Sequence, residues 1–412
     1  MSDMGYGTAG TDRLQGINYP RMREYRLNRT KEMMKKHGIG TMVTWDGWDV
    51  RYIASVYATI PCRWYEGTFV VLPINGDPYV YAQTSFSQYK MREELPWLKD
   101  KIWSPPGTTK MNYTIEGIKG IIDVIEQVVR DHNLQNEPVA LDGCTSEFLL
   151  GEALGLRGLT AVDGKQCMFD ARMIKNEDEI ECCRMACIIA DAAFDAIKQA
   201  IRPGIRENEL LGIGMERLYA LGCDETQEFV VASGPRTNPL HIDFTDRMVR
   251  PGDLVVVDVN GASFQGYKSC YYRTFVCGKA NDHQKDIHKR CRDMMYAGMS
   301  YIKAGALCSD SYKGFPDSPS YWGYDTWAEV APYMLIHGLG ISLHERPWLY
   351  KSADLDSLEL RYEEGMVLAI ENWVGDRGGV DGVRLEENVV VTKDGYDLLT
   401  KYPVDELIEC PI

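Results

Sequence analysis

Apolar residues recur three and four apart along "YPRMREYRLNRTKEMMKKHGIG", and this spacing predicts an amphipathic helix stopped by a His-Gly pair before Ile39. "TMVTWD" follows as a strand and "DVRYIAS" as a short helical or extended piece. "GTFVVLPING" and "DPYVYAQT" read as two strands joined through an Asn-Gly-Asp turn. "YTIEGIKGIIDVIEQVVRDHNL" carries the helical period again, and "PVALDG" is a short buried strand. Strand and helix alternate, so this half of the chain predicts a mixed sheet with helices packed on it.

The pattern changes near "FDARMIKNEDEIECCRMACIIADAAFDAIKQAIRPGIREN". Asn176 is placed to cap a long helix whose first turn is acidic, as the helix dipole favours, and "RPG" ends it. A second helix, "ENELLGIGMERLYALG", closes at Gly222. Strands and turns then dominate, in "QEFVVASGP", "DLVVVDVNG", "YYRTFVCG", "GMVLAIENW" and "VRLEENVVVTKDG", with the helix "DHQKDIHKRCRDMMYAGMSYIKAG" between them. The expected fold class is α/β (α+β): an N-terminal α/β domain over residues 1–168, then a domain over 169–412 with helices outside a curved, mostly antiparallel sheet.

Length agrees with two domains, since 412 residues exceed one ordinary core. A net charge of -15 argues against nucleic acid and against anionic membrane surfaces, both of which need basic patches. No apolar run reaches the roughly 18 to 20 residues of a membrane span. The start "MSDMGYGTAGTDRLQG" has no apolar signal core, so a cytoplasmic location is expected. The twelve cysteines are scattered and read as reduced, mostly buried small hydrophobes.

Five polar features fall at strand ends or turns of the second half: "TNPLHIDFTD" with His241, the hairpin "DLVVVDVNGASFQGYKSCYYRTF" with Asp258 and Cys270, "IHGLGISLHERP" with His337 and His344, "AIENW" with Glu371, and "VRLEEN" with Glu386. Glu371 and Glu386 each sit inside an apolar strand. A charge there costs several kcal/mol unless a cation, a proton or hydrogen bonds compensate it.

At these positions the chain resembles the pita-bread superfamily of creatinase, Xaa-Pro aminopeptidase, prolidase and methionine aminopeptidase. The likeness is carried by "SGPRTNPLH", "GDLVVVDV", "YYRTF", "HGLGISLHE", "EEGMVLAIEN" and "GVRLEENVVVT". It implies a creatinase-like N-terminal domain and a pita-bread C-terminal domain. In metal-dependent members two Asp, one His and two Glu hold a pair of divalent ions. His337, Glu371 and Glu386 match the His and the Glu pair. Cys270 stands where the family has its bridging Asp, and Val259 where it has its first. Asp258 and Asn260 resemble the offset Asp-x-Asp of the dimethylsulfoniopropionate lyase branch, with Asn260 in place of the second Asp.

With those carboxylates missing, a standard dinuclear centre is not expected, and His241, His337, His344 and Glu371 become the expected catalytic set. His241 matches the proton-transferring His of creatinase, which hydrolyses a guanidino compound without metal. The resemblance therefore points to no cofactor. The expected reaction is metal-independent, His-based hydrolysis of a C–N bond in a small charged metabolite of guanidino, amidine or onium type. The alternative is a lyase with one Fe or Zn ion on Asp258, Cys270, His337, Glu371 and Glu386. An Xaa-Pro peptidase and a non-catalytic binding relative are further alternatives. Substrate contacts are expected from Arg63, Trp64, Tyr65, Tyr272, Trp373 and Glu386. A homodimer, in which the N-terminal domain contributes to the neighbouring site, is what creatinase-like relatives imply.

Overall fold

The computed structural model describes residues 16–56, 67–104, 115–144, 147–327, 329, 334–350 and 359–412. These form two compact units, Asn18–Arg172 and Met173–Ile412, the described residues before Asn18 grouping with the second.

In the first unit, helices α1 (Tyr19–Lys36), α2 (Gly47–Ala54), α3 (Ser85–Glu94), α4 (Ile115–Asp131), α5 (Glu147–Gly155) and α6 (Lys165–Arg172) accompany six strands. The strands are β1 (Thr41–Thr44), β2 (Phe69–Pro73), β3 (Tyr79–Tyr81), β4 (Ile102–Trp103), β5 (Val139–Asp142) and β6 (Ala161–Asp163), in sheet order β4-β3-β2-β1-β5-β6. β1 runs antiparallel to β2 and parallel to β5, so the sheet is mixed. The helical period of α4 puts Ile118, Ile121, Ile122, Ile125, Val128 and Val129 on one buried face. That face meets Val43, Phe69, Val71, Val139 and Leu141 of the sheet in a single core.

The second unit opens with α7 (Glu177–Ala200) and α8 (Glu207–Ala220). Asn176 caps α7 through a capping box: its side chain accepts from the Glu179 N–H, and the Glu179 carboxylate accepts from the Asn176 N–H. Two sheets follow. The first has order β17-β11-β8-β7, from β7 (Phe229–Ser233), β8 (Leu254–Val259), β11 (Tyr272–Cys277) and β17 (Ile408–Cys410). The second has order β13-β12-β14-β15-β16, from β12 (Met334–Gly338), β13 (Glu345–Tyr350), β14 (Val367–Val374), β15 (Val383–Val391) and β16 (Tyr396–Leu398). Helix α9 (Asp282–Met299) lays Ile287, Cys291, Met294, Met295 and Met299 into a core shared with Leu368, Ile370, Leu385 and Val389.

The β8–β11 hairpin is longer than a simple turn. A two-stranded ribbon, β9 (Ser263–Phe264) and β10 (Tyr267–Lys268), sits at its tip. All eleven described cysteines are buried. Among the described residues no helix is long and apolar enough to cross a membrane.

Candidate functional site

The site grows from two ladders. In the first, Asp258 of β8 lies opposite Tyr272 of β11 rather than opposite Cys270, which precedes β11 by two residues. Cys270 faces Asn260 instead, and its thiol donates to the Asn260 side-chain carbonyl at 2.8 Å. The Asn260 amide in turn donates to Asp258 Oδ2 at 2.5 Å. In the second sheet Glu371 of β14 pairs directly with Glu386 of β15. His337 of β12 lies opposite Ala369 on the other side of β14.

His337 is held in one orientation. Its Nδ1 is 2.9 Å from the Gly338 carbonyl, which can only accept, so the proton sits on Nδ1 and Nε2 keeps its lone pair. Gly338 itself tolerates no side chain, because a Cβ there would stand 2.1 Å from the Arg346 carbonyl oxygen across the bulge between β12 and β13. The free Nε2 lies 3.7 Å from Cys270 Sγ and 3.9 Å from Glu386 Oε1. One ligand atom from each of Cys270, His337 and Glu386 falls within 4.8 Å of the others, and all three residues are buried.

This trio has the chemistry of a cation site. Among the described residues neither Glu386 oxygen has a hydrogen-bond partner, and Asp258 Oδ1 has none either. Buried carboxyls are ordinarily satisfied, so orphaned oxygens call for a missing positive or donating group. Burial, reinforced by Glu371 and Asp258, pushes the Glu386 carboxyl well above the usual carboxylate range. Burial does the same to Asp258 and to the Cys270 thiol. It also holds the His337 imidazole down at about 4, with His344 adding to the effect. A divalent ion would reverse the shifts of the carboxyls and the thiol and reinforce that of His337, since metal binding selects carboxylate, thiolate and neutral imidazole.

Glu371, opposite Glu386 on the β14–β15 ladder, forms an ion pair with Arg384. The Arg384 guanidinium lies 4.0 Å from the centre of the Tyr272 ring. Although burial opposes its charge, Glu371, Tyr272 and Asp258 raise its pKa above the ordinary value. Sequence reasoning passed over Arg384, yet it stands two residues before Glu386 on one strand and therefore shares its face. Asn388, two residues beyond Glu386, was passed over for the same reason. Its side-chain oxygen accepts from the Cys270 N–H at 3.0 Å, and its amide donates to the Cys270 carbonyl.

The remaining expected residues are placed as follows. The His344 ring is half-buried, 4.4 Å from that of His337 and stacked on Trp348 at 5.1 Å, and burial lowers its pKa. Tyr272 is buried beside Asp258. Trp373 is buried in the core under α9, its Nε1 donating to the Thr237 carbonyl at 3.3 Å. His241 lies on an exposed loop, with Nδ1 3.4 Å from the Arg236 guanidinium. Arg63, Trp64 and Tyr65 lie outside the described residues.

The sequence model of Metallopeptidase family M24 matches residues 181–393. The Xaa-Pro dipeptidase of Pyrococcus horikoshii is 33% identical over 234 residues, a match covering 56% of this chain and 64% of that protein, short of two thirds of its length. Among solved structures, X-Pro aminopeptidase from Thermotoga maritima superposes with a TM-score of 0.73 at 20% identity, covering 93% of this chain and 99% of the other. Dipeptidase PepE from Mycobacterium ulcerans superposes with a TM-score of 0.73 at 21% identity, covering 96% and 100%. At those identities the likeness establishes the two-domain mixed α/β fold.

These findings correct one expectation. The sequence pointed to no cofactor, on the ground that Cys270 and Asn260 replace carboxylates; the matching family is one of metallopeptidases, and metal-free chemistry is set aside. The physical reason is visible in the orphaned Glu386 oxygens facing a thiol and an imidazole lone pair, a donor set that fits a divalent ion even without those two carboxylates. With the match extending over more than half of its length, this chain belongs to Metallopeptidase family M24.

Proposed function

We propose that this protein is a metal-dependent hydrolase of short peptides with proline in the second position, its metal held by Cys270, His337 and Glu386. The observation that carries the reading is the convergence of those three buried donors, with no other partner for the Glu386 oxygens among the described residues. The relatives named Xaa-Pro dipeptidase supply the substrate class. A bound ion supplies polarisation of the scissile carbonyl and an activated water. The chain's own residues do the rest. Nδ1–H of His337 is tied to Gly338, which keeps Nε2 aimed inward. His344, neutral at pH 7 because burial lowers its pKa, sits at the half-open edge of the site and is suited to relay a proton to a leaving nitrogen. The Arg384–Glu371 pair holds a fixed positive group against the Tyr272 ring.

A second reading keeps the metal and changes the substrate to a small guanidino or sulfonium metabolite, cleaved by hydrolysis or elimination. Its support is the replacement of carboxylates by Cys270 and Asn260, the same offset that resembles the sulfonium lyase branch.

The test is a substrate panel on full-length protein whose metal content has been measured, with and without chelator. Turnover of Ala-Pro or Gly-Pro that is lost on chelation and restored by zinc, cobalt or manganese is the expected result. Turnover confined to guanidino or sulfonium compounds moves the assignment to the second reading. Turnover that is indifferent to chelation overturns both. Light scattering on the same preparation reads the homodimer expected from the resemblance.

A further inference from the structure

The two sheets of the second unit meet along β11 and β15, yet among the described residues no backbone ladder joins these strands. β11 pairs with β8 and β17, and β15 with β14 and β16. Two side chains stand in for the missing rungs. At one end the Thr274 hydroxyl donates to the Arg384 carbonyl at 2.8 Å and accepts from the Arg384 N–H at 3.0 Å. At the other end the Asn388 amide accepts from the Cys270 N–H at 3.0 Å and donates to the Cys270 carbonyl. Each group satisfies both the donor and the acceptor of one facing residue, as an antiparallel neighbour would. Between the rungs, Arg273 donates to the Glu386 carbonyl at 2.6 Å and to the Glu387 carboxylate at 3.0 Å.

The consequence lies in where the ligands sit. Cys270 lies two residues ahead of β11 of one sheet and Glu386 on β15 of the other, so their separation is set by the closure of this seam and not by any ladder. Asn388 grips the main chain of Cys270 on both sides, from a position two residues beyond Glu386 on the same strand face. It is itself fully buried, and its oxygen also accepts from the Cys187 thiol of α7 at 3.5 Å.

We infer that Asn388 is a positioning residue for the metal, fixing Cys270 so that its sulfur and the Glu386 carboxylate reach the same ion. This deepens, and rests on, the metal-dependent reading above. Outer contacts that orient ligands are commonly worth about 10- to 100-fold in metal affinity, and a gripped main chain is a strong form of such a contact.

The experiment is a cobalt(II) titration of full-length apo protein, followed by the sulfur-to-cobalt charge-transfer band, for wild type, Cys270→Ser, Asn388→Ala, Asn388→Asp and Thr274→Val. The wild type is expected to show the band and Cys270→Ser to lack it. Asn388→Ala is expected to bind cobalt about 10- to 100-fold more weakly, with a shifted or weakened band. Thr274→Val, at the far rung, is expected to lower the melting temperature while leaving the band in place. Asn388→Asp keeps the acceptor for the Cys270 N–H and loses the donor, so it falls between the two; it also serves if the alanine variant does not fold. Wild-type affinity and band in both Asn388 variants overturns the inference. An equal loss in Thr274→Val also overturns it, since that reports only the integrity of the seam. A wild type with no charge-transfer band overturns the metal reading itself, and the inference with it.

Discussion

Glu386→Gln separates the folding cost of the site from its function. Glu386 is fully buried with both oxygens unpartnered among the described residues, and it shares its surroundings with Asp258, Glu371 and the Arg384 guanidinium. A near-isosteric amide removes one ionisable acid and brings N–H donors to a place crowded with acceptors. An unsatisfied buried polar group costs about 1–3 kcal/mol, so the metal-free variant is expected to be more stable than the wild type by about that amount. At roughly 2–4 °C per kcal/mol for a unit of this size, the melting temperature rises by about 2–12 °C. The sign with pH follows. Burial raises the folded-state pKa of Glu386 above its ordinary 4.5, so the native state holds the extra proton and wild-type stability falls as pH increases past that value. The advantage of Gln is therefore larger at pH 8 than at pH 5. Zinc inverts the ranking, because a ligand at 100 times its dissociation constant adds about 2.7 kcal/mol to whichever protein binds it. Scanning calorimetry in chelator and in saturating zinc reads both halves. A variant less stable than wild type in chelator, or an equal zinc shift in both proteins, refutes the reasoning.

Three further outcomes are expected. Lys175→Met removes the partner that lies 2.7 Å from Glu345 in a fully buried ion pair, and urea unfolding should show a loss of about 3–5 kcal/mol, most of it recovered when Glu345→Leu is added. His288 of α9 is buried and its pKa is depressed from 6.5 to about 4, mainly by burial. The unfolded chain therefore takes up its proton first, and stability falls as pH drops from about 6.5 toward 4, by up to ~3 kcal/mol; urea midpoints across that window should flatten in His288→Gln. Cys270→Asp replaces a soft donor by a hard one, and calorimetric titration should show the manganese-to-zinc affinity ratio rising at least ~10-fold, since thiolates favour zinc and carboxylates manganese.

Much of the local architecture was legible in the chain. The apolar period of Ile118 to Val129 declares a helix face, and Asn176 followed by Glu179 declares a helix start, because both depend on residues a turn apart. Glu371 and Glu386 could be singled out because a carboxyl inside an apolar strand is anomalous whatever lies across from it. The strand period also holds Arg384 and Asn388 on the face of Glu386.

The identity of the neighbour across each strand was beyond the sequence. Asp258 and Cys270 lie on the two arms of one hairpin, but the ladder sets Asp258 against Tyr272, and Cys270, ahead of β11, meets Asn260 through its side chain. The expectation of metal-free chemistry had the same origin. It counted missing carboxylates along the chain, whereas a metal responds to donor atoms converging in space. A strand's alternation assigns each side chain a face at a cost felt within two residues. Bringing Cys270, His337 and Glu386 within 4.8 Å requires two sheets to close on each other through contacts more than a hundred residues apart, Asn388 on Cys270 among them, and only the tertiary structure decides that.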